Sequence, residues 1–240
     1  MLTIYKLSLR QMLQPRRLLI LLFIAATPVA LSVVVAIFPP DTEDIVSFRD
    51  DFLMGPMVIS AVLPIVTVVL ATASLGHEIE DQTMAYLFLK PVSRWGIVLP
   101  KILATITVAG VVVAGSGVLT TVIVPEGSFV TSASVAAGLA LGVVAYTSVF
   151  TWAGLMTNHA LAFGLVYVFV WEAAIVNFLQ GVRWLSIHHY TEATIHGFDD
   201  GQFAGDSATL DLGQALPAAG VVIALFVGLT IRRLTRMDVA

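Results

Sequence analysis

Few side chains in this sequence could do chemistry, and most of them sit in awkward surroundings. Glu172 lies inside an apolar run from Ala160 to Leu179. An ionised acid at the centre of a membrane span costs about 2.5–3.5 kcal/mol on insertion scales. Such a group needs a partner, water or a proton. It could contact a substrate or hold a proton or cation. It could equally bond a neighbouring helix or, with Trp171, mark the membrane interface. His188, His189, Glu192 and His196 form a second set. Imidazole and carboxylate both bind zinc or copper, yet the spacing matches no compact zinc motif. A solvated interfacial segment anchored by Trp184 and Tyr190 is the simpler expectation. His77-Glu78 begins like a zinc-protease helix, but Asp81 stands where the second His is needed. Gly115-Ser116-Gly117 has the form of a nucleophile turn, but it lies in a long apolar run without a placed His. Close helix packing is expected there and at the Gly138/Gly142 pair. The chain has no cysteine, which excludes disulfides and thiolate metal sites. No catalytic residue, bound metal or cofactor is expected in this chain.

The elements that position these residues must live in lipid. Hydrophobic residues make up 58% of the chain and charged ones only 12%, with a mean hydropathy of +0.94. Soluble domains run at about a quarter charged. About 20 apolar residues cross the hydrocarbon core as a helix. Six stretches answer to that: Leu18–Phe38, Phe52–Leu75, Ile97–Val124, Val130–Met156, Ala160–Leu179 and Gln214–Ile231. None alternates as a barrel strand would. The fold class expected is all-α, one polytopic membrane domain over residues 1–240. Thr157, Asn158 and His159 alone divide the fourth and fifth stretches, which fits a tight helical hairpin.

Lysine and arginine set the orientation. Lys6, Arg10, Arg16, Arg17, Lys90, Arg94, Lys101, Arg232, Arg233 and Arg236 all fall on one side if there are six crossings. Only Arg49 and Arg183 fall on the other. Six spans with both termini in the cytoplasm are therefore expected. The outer loops are acidic: Asp41, Glu43, Asp44, Asp50 and Asp51 in the first, and Glu192, Asp199, Asp200, Asp206 and Asp211 in the last, residues 180–213. A solvated loop is the plain expectation, and a cation-attracting vestibule the alternative. The first apolar run is longer than a signal-peptide core and is expected to be retained.

Residues 1–15 have an amphipathic pattern. Leu2, Tyr5, Leu9, Met12 and Leu13 share one helical face, and Thr3, Lys6, Arg10 and Gln14 another, as in a helix lying in the membrane interface. Pro15 ends it. Between the second and third spans the chain reads HEIEDQTMAYLFLKPVSRWGIVLPK, His77 to Lys101. Glu78, Glu80 and Asp81 suit a helix N-terminus. Met84–Leu89 is apolar all round, so it should be buried. Pro91 stops a helix, and Ser93 is a plausible N-cap for the next. A short cytoplasmic helix within residues 76–95 is expected.

That order of residues resembles the permease subunits of ATP-binding-cassette exporters of the second type. Their pattern is Glu-x-Glu-x-Gly-Thr, a leucine-rich turn, Pro-x-Ser-Arg and a more distant Lys. It is met here by Glu78, Glu80, Thr83, Leu87, Pro91, Ser93, Arg94 and Lys101, with Gln82 where the glycine is common. The resemblance implies that this segment is a coupling helix gripped by a separate ATPase subunit, in two copies. It also implies that ATP and Mg bind to that partner. No G-x-x-x-x-G-K-[ST] phosphate loop occurs in this chain. A second permease copy, most simply a homodimer, and a multi-pass place in the cell membrane follow from the same resemblance. No nucleic-acid partner is expected. Two other functions compete: a membrane-embedded enzyme, and a non-transporting scaffold clamped by an ATPase.

Overall fold

The computed structural model describes residues 2–38, 48–80, 95–124, 128–157, 159–176, 180–199 and 210–236. Regular structure is helical throughout, with no strand among the described residues. Lipid offers no hydrogen bonds, and a helix satisfies its own backbone. In chain order, α1 is Leu2–Met12, α2 Pro15–Ile37, α3 Phe48–Val62, α4 Leu63–Glu80, α5 Trp95–Ile123 and α6 Phe129–Met156. There follow α7 Ala160–Val166, α8 Tyr167–Ile175, α9 Gln180–Leu185, α10 Ile187–Phe198 and α11 Leu212–Arg236. Helices α3 and α8 are wound as the wider π form, and α9 is a tight 3₁₀ turn.

Local sequence explains the boundaries. Pro15 opens α2 where its missing N–H is no loss. Within α2, Ser32 Oγ donates to the Pro28 carbonyl at 2.8 Å. Ser128 caps α6, accepting from the Val130 N–H at 3.1 Å. The expected hairpin after α6 is present: Met156 ends one helix, Ala160 begins the next, and the His159 N–H donates to Thr157 Oγ1 at 3.2 Å.

Among the described residues, five helical stretches are long and apolar enough to cross a membrane: Pro15–Ile37, Phe48–Ser74, Trp95–Ile123, Phe129–Met156 and Leu212–Arg236. In the expected span Ala160–Leu179 the described residues 160–176 are helical without a break, as α7 and then α8, whose winding widens to the π form from Tyr167. The stretches carrying α3–α4 and α5 are each 61% buried and α6 50%, against 28% for α2 and 22% for α11. Thus α4, α5 and α6 form the core, while α2 and α11 turn apolar faces outward.

Helix α1 lies on α5. Tyr5 Oη sits 3.1 Å from Thr107 Oγ1, and Thr105 Oγ1 donates to Met12 Sδ at 3.9 Å. Of its apolar face, Tyr5, Leu9 and Met12 turn inward, while Leu2 and Leu13 stay exposed. Gly115-Ser116-Gly117 is a packing element: Ser116 Oγ donates to the Ala25 carbonyl at 2.6 Å, joining α5 to α2.

Within residues 180–213, expected as an outer loop, Ile187–Phe198 form helix α10 with one face buried. Helix α10 runs antiparallel along the N-terminal half of α6. Thr131 Oγ1 donates to Asp199 Oδ1 at 2.9 Å at one end, and Thr191 and Ile195 pack on Gly138 and Gly142 further in. From Thr131 to Gly142 is about 16 Å at the helical rise, roughly half the hydrocarbon thickness. So α10 is a helix packed lengthwise on the first half of α6. Its sequence permits this, because Ile187, Tyr190, Thr191, Thr194 and Ile195 share one buried face. Two acids read as loop residues are buried with it or near it. Asp199 is 1% exposed, and Asp50 is 2% exposed against Arg49, which holds it by bonds of 2.6 and 3.0 Å. Asp51 and Asp211 are exposed, as expected of loop acids.

The Gly138/Gly142 pair therefore makes its close contact within the chain. A Cβ on Gly138 would meet the Thr191 carbonyl oxygen at 2.8 Å, and one on Gly142 would meet Leu63 Cδ2 at 2.7 Å. Gly138→Ala should push α10 off α6 and lower stability in a detergent melt by about 1–3 kcal/mol, the usual cost of overpacking. Gly110→Ala, whose Cβ meets nothing within 4 Å, should be neutral or slightly stabilising. Equal melts for the two variants would contradict this packing.

Candidate functional site

Glu172 is the centre of a buried polar cluster. It is 9% exposed. Its Oε1 accepts from Tyr167 Oη at 3.1 Å and from the Ile187 N–H at 3.0 Å. Its Oε2 accepts from Ser186 Oγ, and the buried Tyr146 lies near the same carboxylate. Every one of these hydrogen bonds finds Glu172 as the acceptor. Ile187 is the first residue of α10, and Ser186 is its N-cap, accepting from the His189 N–H. The first amides of a helix have no partner inside it and carry its positive dipole end. Glu172 supplies both a bond and a negative charge at that end. Glu172 is thus bonded to the start of a neighbouring helix.

Ser186, His189 and Glu172 are the ingredients of a nucleophile, base and acid, but their order is wrong for a relay. The acid bonds the serine, not the histidine. A hydroxyl has one proton. Given to Glu172, it leaves Ser186 Oγ to accept from His189 Nδ1, 3.0 Å away. The imidazole therefore cannot take the serine proton in this arrangement.

The outer face of α10 carries a second group. His188 Nε2 lies 3.1 Å from Glu192 Oε1, one turn on, and His188 Nδ1 lies 3.4 Å from Ser60 Oγ on α3. Tyr190 is buried, with its hydroxyl on the Trp184 carbonyl, while Trp184 itself is exposed. No three His, Cys, Asp or Glu side chains among the described residues converge as metal ligands.

At the other end of the core, Lys101 Nζ donates to the Ser74 carbonyl at 2.7 Å, and Lys101 is 2% exposed. This ties α5 to α4 just before the segment singled out in sequence. Glu78 and Glu80 fall on the last turns of α4. Thr83, Leu87, Pro91, Ser93 and Arg94 lie outside the described residues.

Three positions escaped the sequence, and a fourth, Lys101, is legible there for its charge and its place in the family pattern but not for its burial. Ser186 carries a signal, a hydroxyl directly before a helical apolar pattern, which marks an N-cap. Lys101 reads as a loop flank because it stands at the start of an apolar run. Tyr167 and Ser60 carry no signal, since a single hydroxyl in a span is common.

Comparison with protein families gives one match over nearly the whole chain: the model described as ABC-2 family transporter protein covers residues 2–239. A search of the curated proteins gives no match. With its apolar helices, the chain is a multi-pass membrane protein of transporter type.

The role of Glu172 as the anchor of α10 has a direct check. Glu172→Gln keeps the shape but presents an amide to donors. It should lower unfolding stability in detergent by about 1.5–3 kcal/mol, the worth of bonds to a charged group. Tyr167→Phe, which removes one neutral donor, should cost about 1 kcal/mol. An unchanged melt in the Gln variant would show that α10 is held by other means.

Proposed function

Because the chain belongs to the ABC-2 transporter family, we propose that it is the permease subunit of an exporter, driven by a separate ATPase that grips residues 76–95. The observation that carries this reading is the strap at the base of that segment. Helix α4 continues to Glu80 and α5 starts at Trp95, so the two most buried stretches bracket it. Lys101 on the Ser74 carbonyl fastens them together inside the protein, at 2.7 Å. A push on the segment would then move α4 and α5 as one lever. Glu78, Glu80, Thr83, Leu87, Pro91, Ser93 and Arg94 match the family's gripping pattern and are assigned that role. ATP and Mg belong to the partner, in two copies.

Six crossings complete the picture. The five long stretches, plus α7 and α8 as the sixth, leave both termini in the cytoplasm and gather ten of the twelve basic residues there. An odd number would put the basic C-terminal end of α11 outside. Helix α1, amphipathic and packed beside α5, lies in the cytoplasmic interface. Six spans are half of a transport unit, so a second copy of the chain pairs with this one in the plasma membrane. The family favours a transport subunit over an enzyme.

The test is uncoupling. In the purified complex with its ATPase, Glu80→Ala and Arg94→Ala should each cut ATP-driven transport by about tenfold, the middle of the usual coupling range. ATP hydrolysis and membrane insertion should persist. Transport at the parent rate in both variants would rule out the gripping role.

A further inference from the structure

Helices α2 and α5 leave a groove of about 260 Å³ between them. Leu22, Ala25 and Val29 line it from α2, and Val111, Gly115 and Leu119 from α5. Ser116, whose Oγ donates to the Ala25 carbonyl, closes its floor. Leu22, Val111 and Leu119 stand exposed on its rims. Gly115 makes the hollow, since a Cβ there would meet nothing within 4 Å. Val111, Gly115 and Leu119 follow one another by single turns, so the groove runs along α5 for about 12 Å.

One end of the groove is shut. Thr107, one turn before Val111 in the same row, meets Tyr5 of α1, and Thr105 meets Met12. Tyr5 and Met12 are about 10 Å apart along α1, yet they touch α5 about 3 Å apart. Helix α1 therefore crosses α5 at the foot of the groove. From Thr107 to the end of α5 at Ile123 is about 24 Å, against about 30 Å of hydrocarbon, so α1 rests near one membrane edge. A straight helix of another chain, about 10 Å wide, would run into α1 if laid along the groove. A thin, flexible chain that ends at the membrane edge would not. The corner between α1 and α2 is also basic. It carries Lys6, Arg10, Arg16 and Arg17, and no acid precedes Asp41. Lys6, Arg10 and Arg16 are exposed, and Arg16 stands about 9 Å along α2 from Leu22.

We propose that this groove holds one acyl chain of an anionic phospholipid, whose phosphate is met by Lys6, Arg10, Arg16 and Arg17. The lipid belongs to the leaflet on the α1 side. On a convex helix a lipid chain is touched from one side only. In the groove α2, α5 and the floor all touch it, and such small dispersion gains add up. The headgroup then sits where an amphipathic basic helix meets a span, a setting that favours anionic lipids. Bound there, the lipid fills the angle between α1 and α2 and holds it. The site depends neither on the transport role proposed above nor on which side of the membrane α1 occupies.

Native mass spectrometry of the purified full chain in detergent tests this, with dioleoyl phosphatidylglycerol and dioleoyl phosphatidylcholine as probes. The parent should hold one phosphatidylglycerol at least about tenfold more tightly than phosphatidylcholine, at about fivefold per basic residue engaged. Lys6→Gln, Arg10→Gln and Arg16→Gln together should erase that preference. Gly115→Leu fills the groove and should weaken phosphatidylglycerol binding by about tenfold, the worth of a few buried methylenes. Gly220→Leu, in equally open surroundings on α11, should bind like the parent. Val111→Phe, from the exposed rim, makes the same test if Gly115→Leu folds poorly. Equal binding of the two lipids by the parent would overturn the headgroup site. Undiminished binding in both Gly115→Leu and Val111→Phe, or an equal loss in Gly220→Leu, would overturn the groove. Free glycerol phosphate competing as strongly as the whole lipid would do so too, because the chain would then contribute nothing.

Discussion

A carboxylate in the middle of a membrane must find its donors inside the protein, because lipid supplies none. Glu172 finds them at the start of a helix that would otherwise have its own unmet donors buried. Each solves the problem of the other. The acid takes the first amide of α10 and the hydroxyl of its N-cap, with Tyr167 closing the set and Tyr146 near it. From that joint α10 runs along α6, seated on two glycines, to Asp199 and Thr131 near the first turn of α6. The core of α4, α5 and α6 is thus extended by a helix that spans nothing itself. It also explains why the polar side of α10 ends up beside α3.

Two ends of the molecule then have different characters. One end is fastened: Lys101 is buried on the Ser74 carbonyl, with α1 laid against α5 nearby. The opposite half is built from short pieces, namely the π-wound α3 and α8, the α9 turn and α10. A tethered end and a segmented end are what the proposed permease reading calls for. A buried lysine on a backbone carbonyl is a strong tether, since a lost partner would leave a desolvated charge.

Much of this is legible in the residues, and the failures have physical causes. Hydropathy finds the long helices because each needs an unbroken apolar run. The glycine pair at 138 and 142 announces a close contact, and the oddity of Glu172 announces a partner. The partner itself does not show, because it lies fourteen residues on and is reached only through a turn. Helix α10 is misread because His188, His189, Glu192 and His196 lower its average hydropathy. That average hides the helical spacing of Ile187, Tyr190, Thr191, Thr194 and Ile195. Asp50 and Asp199 are taken for loop acids for a similar reason: their rescuers, Arg49 and Thr131, are visible only once the chain is folded.

The placement of α10 is the point on which the site turns. Amide hydrogen exchange in lipid nanodiscs measures it directly, residue by residue. Helix α10 seated on α6 and anchored by Glu172 requires amides 190–198 to be as strongly protected as those of α6 from 131 to 142. Rapid exchange across 190–198, at the rate of a solvated loop, beside a protected α6 would contradict it.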